Sequence, residues 1–185
     1  MKIQELAMQG LFLIEPDVYE DDRGFLMVVH REDFFKDQGI PVYFVQENQS
    51  RSKKDVLRGL HFQWDPPLGK LIRVTQGITF MVAVDIRKTS RTFGQWLGME
   101  IGATNKKELY ASPGFATGFC SLADSTDVQY RYTALYNPAG EGTILWNDSR
   151  VGIKWPLEKA IISERDKKAL TLAEWSTRKE SDLFV

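Results

Sequence analysis

Ile78-Thr79-Phe80-Met81-Val82-Ala83-Val84-Asp85-Ile86 is the stretch that sets the fold class. Side chains on a strand alternate between its two faces. Ile78, Phe80, Val82, Val84 and Ile86 therefore fall on one side, and Thr79, Met81, Ala83 and Asp85 on the other. A strand half-buried in a sandwich or barrel has this pattern. Working outward, shorter strand signals lie at Leu11 to Ile14, Gly24 to Val29, Tyr43 to Gln46, Lys70 to Val74, Gln95 to Ile101, Glu108 to Ala111 and Val128 to Thr133, with Gly and Pro as punctuation. Many short strands without alternating strand and helix units predict a mainly β sandwich or jelly roll. Helix is expected in two places, Arg31 to Gln38 and Ser163 to Trp175. The second opens on an N-cap candidate, Ser163, with the acidic Asp166 three positions on.

A chain of 185 residues with 43% apolar content can bury a sizeable core, and one domain over residues 1–185 is expected. Lys and Arg total 24 against 25 for Asp and Glu, so there is no global basic field to favour nucleic acid or a membrane surface. The one cysteine, Cys120, lies in the apolar run Gly118-Phe119-Cys120-Ser121-Leu122, which suits a buried thiol and excludes an intrachain disulfide. The longest apolar run near the N-terminus, Leu11 to Ile14, is too short for a signal peptide or membrane span. A soluble cytoplasmic protein is expected.

Only two histidines occur, which narrows the search for a group that moves protons near neutral pH. His61 sits in Val56-Leu57-Arg58-Gly59-Leu60-His61-Phe62-Gln63. Arg58 and His61, three apart, face opposite sides of a regular strand unless a bend intervenes, and Gly59 permits one. The turn Asp65-Pro66-Pro67-Leu68-Gly69 then leads to Lys70, so a base, a cation and an amide fall within a short span. A core histidine beside a surface arginine is the competing account.

Asp22-Arg23-Gly24 precedes the apolar Phe25-Leu26-Met27-Val28-Val29, and an arginine at a strand entrance can meet phosphate or lie in solvent. Phe44 to Ser52 turns from apolar to polar, as an ordinary polar loop does. Tyr130 and Tyr132 share a strand face, so spacing does not choose between them as a proton donor. Asp166 either completes the cap with Ser163 or holds His61 in one tautomer. With two histidines and one cysteine far apart in sequence, no close metal-ligand pair exists, and no Gly-rich phosphate loop links a strand to a helix. A mechanism free of metal and cofactor is expected.

Taken together, Asp22-Arg23-Gly24-Phe25, Phe44-Val45-Gln46-Glu47-Asn48, the Val56 to Gln63 segment, Gly69-Lys70-Leu71, Val82 to Arg87, Pro113-Gly114-Phe115-Ala116, Trp146-Asn147-Asp148 and Ser163-Glu164-Arg165-Asp166 make the chain resemble the dTDP-4-dehydrorhamnose 3,5-epimerase family of metal-free cupins. The resemblance runs from about Leu11 to Asp166. It implies a cupin-type double-stranded β-helix, or jelly roll, with short C-terminal helices. It also implies a homodimer whose N-terminal strands exchange to complete the partner's site. The implied activity is cofactor-independent inversion at C3, C5 or both of a nucleotide-linked 4-keto-6-deoxyhexose, in deoxysugar and surface-polysaccharide synthesis. His61 resembles the family's base, Asp166 the aspartate that orients it, Lys70 the lysine near the ketone and Tyr130 the proton donor. Arg58 would meet the diphosphate, Gln46, Asn48 and the neighbouring subunit's Arg23 and Phe25 would hold the nucleotide, and Tyr136 would line the sugar pocket.

Three positions depart from the family. Thr117 replaces the histidine of Gly-Phe-Ala-His-Gly, which points toward a single-position C3 or C5 epimerase. Met81 stands where an aspartate is usual, removing a carboxylate that tunes nearby groups. Val28 replaces a glutamate that accepts from the N3 proton of thymine, so a CDP-linked sugar stands beside a dTDP-linked one as substrate. A binding cupin that has lost its chemistry is the alternative of another class.

Overall fold

The structure is a computed structural model, and it describes residues 1–184. In chain order the strands are β1 (Lys2–Glu5), β2 (Leu11–Glu15), β3 (Val18–Asp21), β4 (Gly24–Met27), β5 (Gln46–Ser52), β6 (Leu57–Gln63), β7 (Lys70–Gln76), β8 (Ile78–Asp85), β9 (Trp96–Gly102), β10 (Glu108–Ala111), β11 (Phe115–Ser121), β12 (Thr126–Tyr132) and β13 (Glu141–Thr143). Three short helices join them: α1 (Glu32–Asp37), α2 (Glu164–Lys167) and α3 (Leu172–Ser176). One sheet runs β1-β2-β10-β7-β12-β5 and the other β13-β6-β11-β8-β9, while β3 and β4 form a hairpin of their own. The architecture is mainly β, a cupin-type jelly roll with short C-terminal helices.

Between the two sheets lies a core fed from both. Leu11, Ile72, Val74, Leu109 and Val128 come from one sheet, and Met81, Ala83, Ile101, Phe115 and Phe119 from the other. The strand expected to be half-buried is covered on both faces. Met81 and Ala83 point into this inter-sheet core, and Val82, Val84 and Ile86 pack with Leu172, Trp175 and Phe184 in a second one. The C-terminal chain returns across the outside of the five-stranded sheet and seals it. Its parallel bridges, Val56 with Ile161 and Ile144 with Leu170, fix that return. Buried aromatic area of this size dominates such a layer.

Local structure departs from expectation in three places, each for a physical reason. The helix expected over Ser163 to Trp175 is two pieces. α2 stops at Lys167, Leu170 bridges to Ile144, and Thr171 starts α3 with a full capping box to Glu174. Tyr43 to Val45 is not a strand, and the polar segment read as a loop is strand β5, paired along its length with β12. Its side chains alternate between an inner row, Gln46, Asn48, Ser50 and Ser52, and exposed Glu47, Gln49 and Arg51. A barrel interior that is polar accepts such a strand, although apolar alternation is absent. No helix among the described residues is long and apolar enough to cross a membrane.

Candidate active site

A cavity of about 130 Å3 opens between the sheets, lined by Arg58, His61, Lys70, Ile72, Met81, Thr117, Gly118, Phe119, Tyr130 and Tyr132. Strands β6 and β11 supply one wall, and β7 and β12 the other. Arg58 and His61 share this cavity because the strand bends at Gly59. Its φ is +131°, and the β6 to β11 register shifts between Thr117 and Phe119. A Cβ at Gly59 would lie 2.5 Å from the Gly118 Cα, so no side chain fits.

Behind His61 stands Asp166. Its Oδ1 lies 2.7 Å from His61 Nε2, and its Oδ2 accepts from the Gly59 N–H at 3.4 Å. Burial pushes the Asp166 carboxyl up, but the His61 hydrogen bond and charge, with the Gly59 and Ser163 bonds, outweigh it and hold the group below the usual range. The carboxylate is therefore ionised near neutral pH and accepts the Nε2 proton, which leaves Nδ1 as the basic nitrogen of neutral His61. Of the two roles left open for Asp166, its carboxylate takes the one toward His61, and Ser163 alone caps the helix. The Asp166 backbone N–H donates to Ser163 Oγ at 3.1 Å in that cap.

Lys70 reaches across from the opposite wall. Its Nζ donates to the His61 carbonyl at 2.8 Å and to Thr117 Oγ1 at 3.0 Å. Burial pulls its pKa down to about 8, opposed by the charge of Glu141. Thr117, the departure from the family pattern, thus sits beside the cation and not apart from it. Met81 forms an apolar part of the cavity wall and is 1% exposed.

Tyr130 and Tyr132 stack at 6.0 Å between ring centres on the wall facing His61. They differ in surroundings. Tyr130 donates to Ser50 Oγ at 2.6 Å, whereas burial pushes the Tyr132 phenol up to about 12, partly offset by its Asn48 hydrogen bond. Gln46 Nε2 donates to Asn48 Oδ1 at 3.0 Å, and Gln46 Oε1 accepts from the Tyr136 N–H at 2.9 Å, but neither Gln46 nor Asn48 is among the residues lining the cavity. Tyr136 is outside the cavity lining, and its hydroxyl donates to Glu141 at 2.8 Å. Arg23 and Phe25 are on the β3–β4 hairpin, away from this chain's cavity, with the Arg23 side chain 90% exposed and bound to Asp21. Sequence reasoning missed Ser50 and Ser52. Ser52 Oγ accepts from Arg58 Nε at 3.0 Å. The signal was the spacing of two in Gln46, Asn48, Ser50 and Ser52.

Among the described residues, no three His, Cys, Asp or Glu side chains gather as a metal-binding group. The arrangement instead places an oriented imidazole on one wall, a phenol on the other and an ammonium beside them. Such a set removes a proton from one face of a ligand and returns one to the opposite face.

Relatives bear the same stamp. The family model for dTDP-4-dehydrorhamnose 3,5-epimerase matches residues 5–174. The chain is 43% identical to dTDP-4-dehydrorhamnose 3,5-epimerase from Methanothermobacter thermautotrophicus over 97% of this chain and 95% of that protein. It is 35% identical to dTDP-4-dehydrorhamnose 3-epimerase from Streptomyces niveus, covering 94% of this chain and 85% of the relative. The crystal structure of dTDP-6-deoxy-D-glucose-3,5-epimerase from Legionella pneumophila, in complex with dTDP-4-keto-L-rhamnose, superposes with a TM-score of 0.89 at 41% identity, covering 93% of each chain. The likeness in sequence and in fold spans nearly the whole chain, and the protein belongs to the dTDP-4-dehydrorhamnose 3,5-epimerase family.

Proposed function

We propose that this protein is an epimerase that inverts C3 and C5 of a dTDP-linked 4-keto-6-deoxyhexose. The observation that carries it is the His61–Asp166 pair at 2.7 Å facing Tyr130 across a cavity whose cation, Lys70, comes from the second sheet. The C4 ketone acidifies the protons on C3 and C5. His61 Nδ1 takes one of them, and its bonding electrons move onto the ketone oxygen as an enolate. Lys70 stabilises that oxygen, and Asp166 stabilises the imidazolium. Tyr130 then delivers a proton to the carbon from the opposite face, and solvent exchange at His61 and Tyr130 resets both groups. In this reading Arg58, hydrogen-bonded to Ser52, meets the diphosphate, while Gln46 and Asn48 hold the nucleotide and Tyr136 closes the sugar end.

Arg23 and Phe25 do not line the His61 cavity of their own chain, and Phe25 is 56% exposed. Their exposure supports a homodimer in which each hairpin enters the neighbour's site to grip the nucleotide. A cytoplasmic location is supported by the free, buried Cys120, and supply of deoxysugar for surface polysaccharide is the role this chemistry suits. Val28, 44% exposed at the end of the hairpin, offers no acceptor to thymine. Turnover of dTDP- against CDP-linked substrate decides the nucleotide.

Thr117 favours one second reading, inversion at a single carbon, because a short hydroxyl bonded to Lys70 stands where the family's histidine would reach the sugar. Turnover in deuterated water tests both. Deuterium at C3 and C5 in proportion to product supports double inversion, and label at one carbon assigns the single one. His61→Ala is expected to abolish exchange while dTDP binding persists. Unchanged exchange in that variant would refute His61 as the base, and a wild type that binds without any exchange would be a binding cupin.

A further inference from the structure

Among the described residues no other strand pairs with the β3–β4 hairpin, which stands over a cleft of about 450 Å3, lined by Phe25, Leu26 and Met27 on the hairpin side and by Val74, Ala103 and Lys106 on the barrel side. Two strands of four residues each do not hold a fixed pose alone. Lys106 supplies a post between the two bodies. It leaves the turn between β9 and β10 at φ +56°, in a loop stiffened by Asn105, whose Oδ1 accepts from the N–H of Gly102 at 3.1 Å and of Lys107 at 3.2 Å. Lys106 Nζ lies 3.7 Å from Glu20 on β3 and 4.6 Å from the centre of the Phe25 ring on β4. Glu20 and Phe25 are direct partners across the hairpin, so one ammonium grips one cross-strand pair. The lysine side chain is only 14% exposed although Glu20 is 70% exposed. A cation on one face of Phe25 leaves the opposite face of the ring free for a planar base.

We infer that Lys106 is a positioning residue for the neighbouring subunit's nucleotide site, holding the hairpin and the Phe25 ring in the pose that the crossing requires. This rests on the shared-site homodimer proposed above. Lys106 touches none of the cavity residues, so its loss lowers the fraction of hairpins in the competent pose and leaves the proton-transfer groups intact. One cation–π contact to a half-exposed ring and one ion pair to an exposed glutamate together set the size of the effect at about fivefold in KM.

The test uses the full-length dimer. Lys106→Met is expected to raise KM about fivefold with kcat within a factor of about two, and Lys106→Arg, which keeps the charge, to restore KM. Two mixed dimers, made from differently tagged chains, locate the effect. With His61→Ala and Lys106→Met on the same chain opposite a wild-type chain, the working site borrows the altered hairpin and KM stays raised. With the two substitutions on separate chains, the working site borrows an unaltered hairpin and KM returns to normal. An unchanged KM in the Lys106→Met homodimer, or an effect that follows its own chain in the mixed dimers, overturns the inference. Phe25→Ala in the same two arrangements probes the shared site without Lys106. If its effect follows its own chain, the shared site is wrong. If it crosses while that of Lys106→Met does not, the shared site stands and the role of Lys106 falls.

Discussion

The cavity and the hairpin are built on opposite principles. In the cavity every polar group is tied to another: His61 to Asp166, Lys70 to the His61 carbonyl and Thr117, Tyr130 to Ser50, Arg58 to Ser52. The hairpin ties Arg23 to its own Asp21, reaches the barrel through the Glu20–Lys106 pair, and presents Tyr19, Phe25 and Leu26 to solvent at 63%, 56% and 70%. Under the proposed function, the difference separates chemistry from recognition. Proton transfer needs atoms fixed to fractions of an ångström in a dry site, whereas a nucleotide grip tolerates a movable arm.

The sharpest way to break that contrast is within the tightest contact. Asp166→Asn preserves shape but removes the charge that orients His61 and stabilises its imidazolium, and kcat should fall about a thousandfold while dTDP affinity holds. A loss confined to KM would move Asp166 from chemistry to recognition. Next is the stacked pair that spacing alone did not separate. Tyr130→Phe should cut product formation about a hundredfold and still permit solvent label to enter recovered substrate, since His61 continues to exchange. Tyr132→Phe should cost less than about tenfold, because its buried phenol holds its proton up to about 12. The reverse order would reassign the donor.

On the hairpin side, Arg23→Ala should raise KM about tenfold with kcat preserved. The loss is moderated because Arg23 must share its charge with Asp21, whose carboxyl it holds below the usual range by hydrogen bonding. The smallest effect is one of stability, and it comes from Lys70, whose charge also sets a pH limb. With its pKa drawn down to about 8 by burial, kcat/KM should decline as pH rises through that value, when the amine loses the charge that meets the enolate. Lys70→Arg should carry that limb to higher pH. Between about 8 and the ordinary lysine value the unfolded chain binds the additional proton, so Lys70 makes stability rise with pH across that window. Lys70→Met should remove this slope and, after the loss of two hydrogen bonds, stabilise the fold by about 1 kcal/mol at pH 7 while turnover collapses. Thermal melts at pH 7 and 9.5 measure it.

Much of the fold was legible because strand periodicity is a local property. Glu108 to Ala111 and the strands at Lys70 and Gln95 were predicted within a residue or two. β5 is not legible as a strand because its inner row is polar, and that polarity marks the side of the strand turned inward and not an open loop. The outer face of β8 was misjudged because Trp175 and Phe184, which cover it, lie far along the chain. Arg58, His61, Lys70, Thr117 and Tyr130 line one cavity, and the strand bends at Gly59, where the sequence permits it.

The sequence by itself determined the β-rich class, the scarcity that singled out His61, the glycine that bends β6 and the resemblance that ordered the remaining residues around it. Only the tertiary structure decided which atoms meet. It settled that Ser163 caps the helix whose Asp166 carboxylate partners His61, that Thr117 bonds Lys70, that Tyr130 and not Tyr132 bonds Ser50, and that Arg23 and Phe25 stand outside their own chain's His61 cavity. The reason is range. Alternation, capping and turn chemistry act over a few residues, whereas a pairing such as His61 with Asp166 spans 105 positions and exists only after two sheets and a returning C-terminal chain have closed on one another.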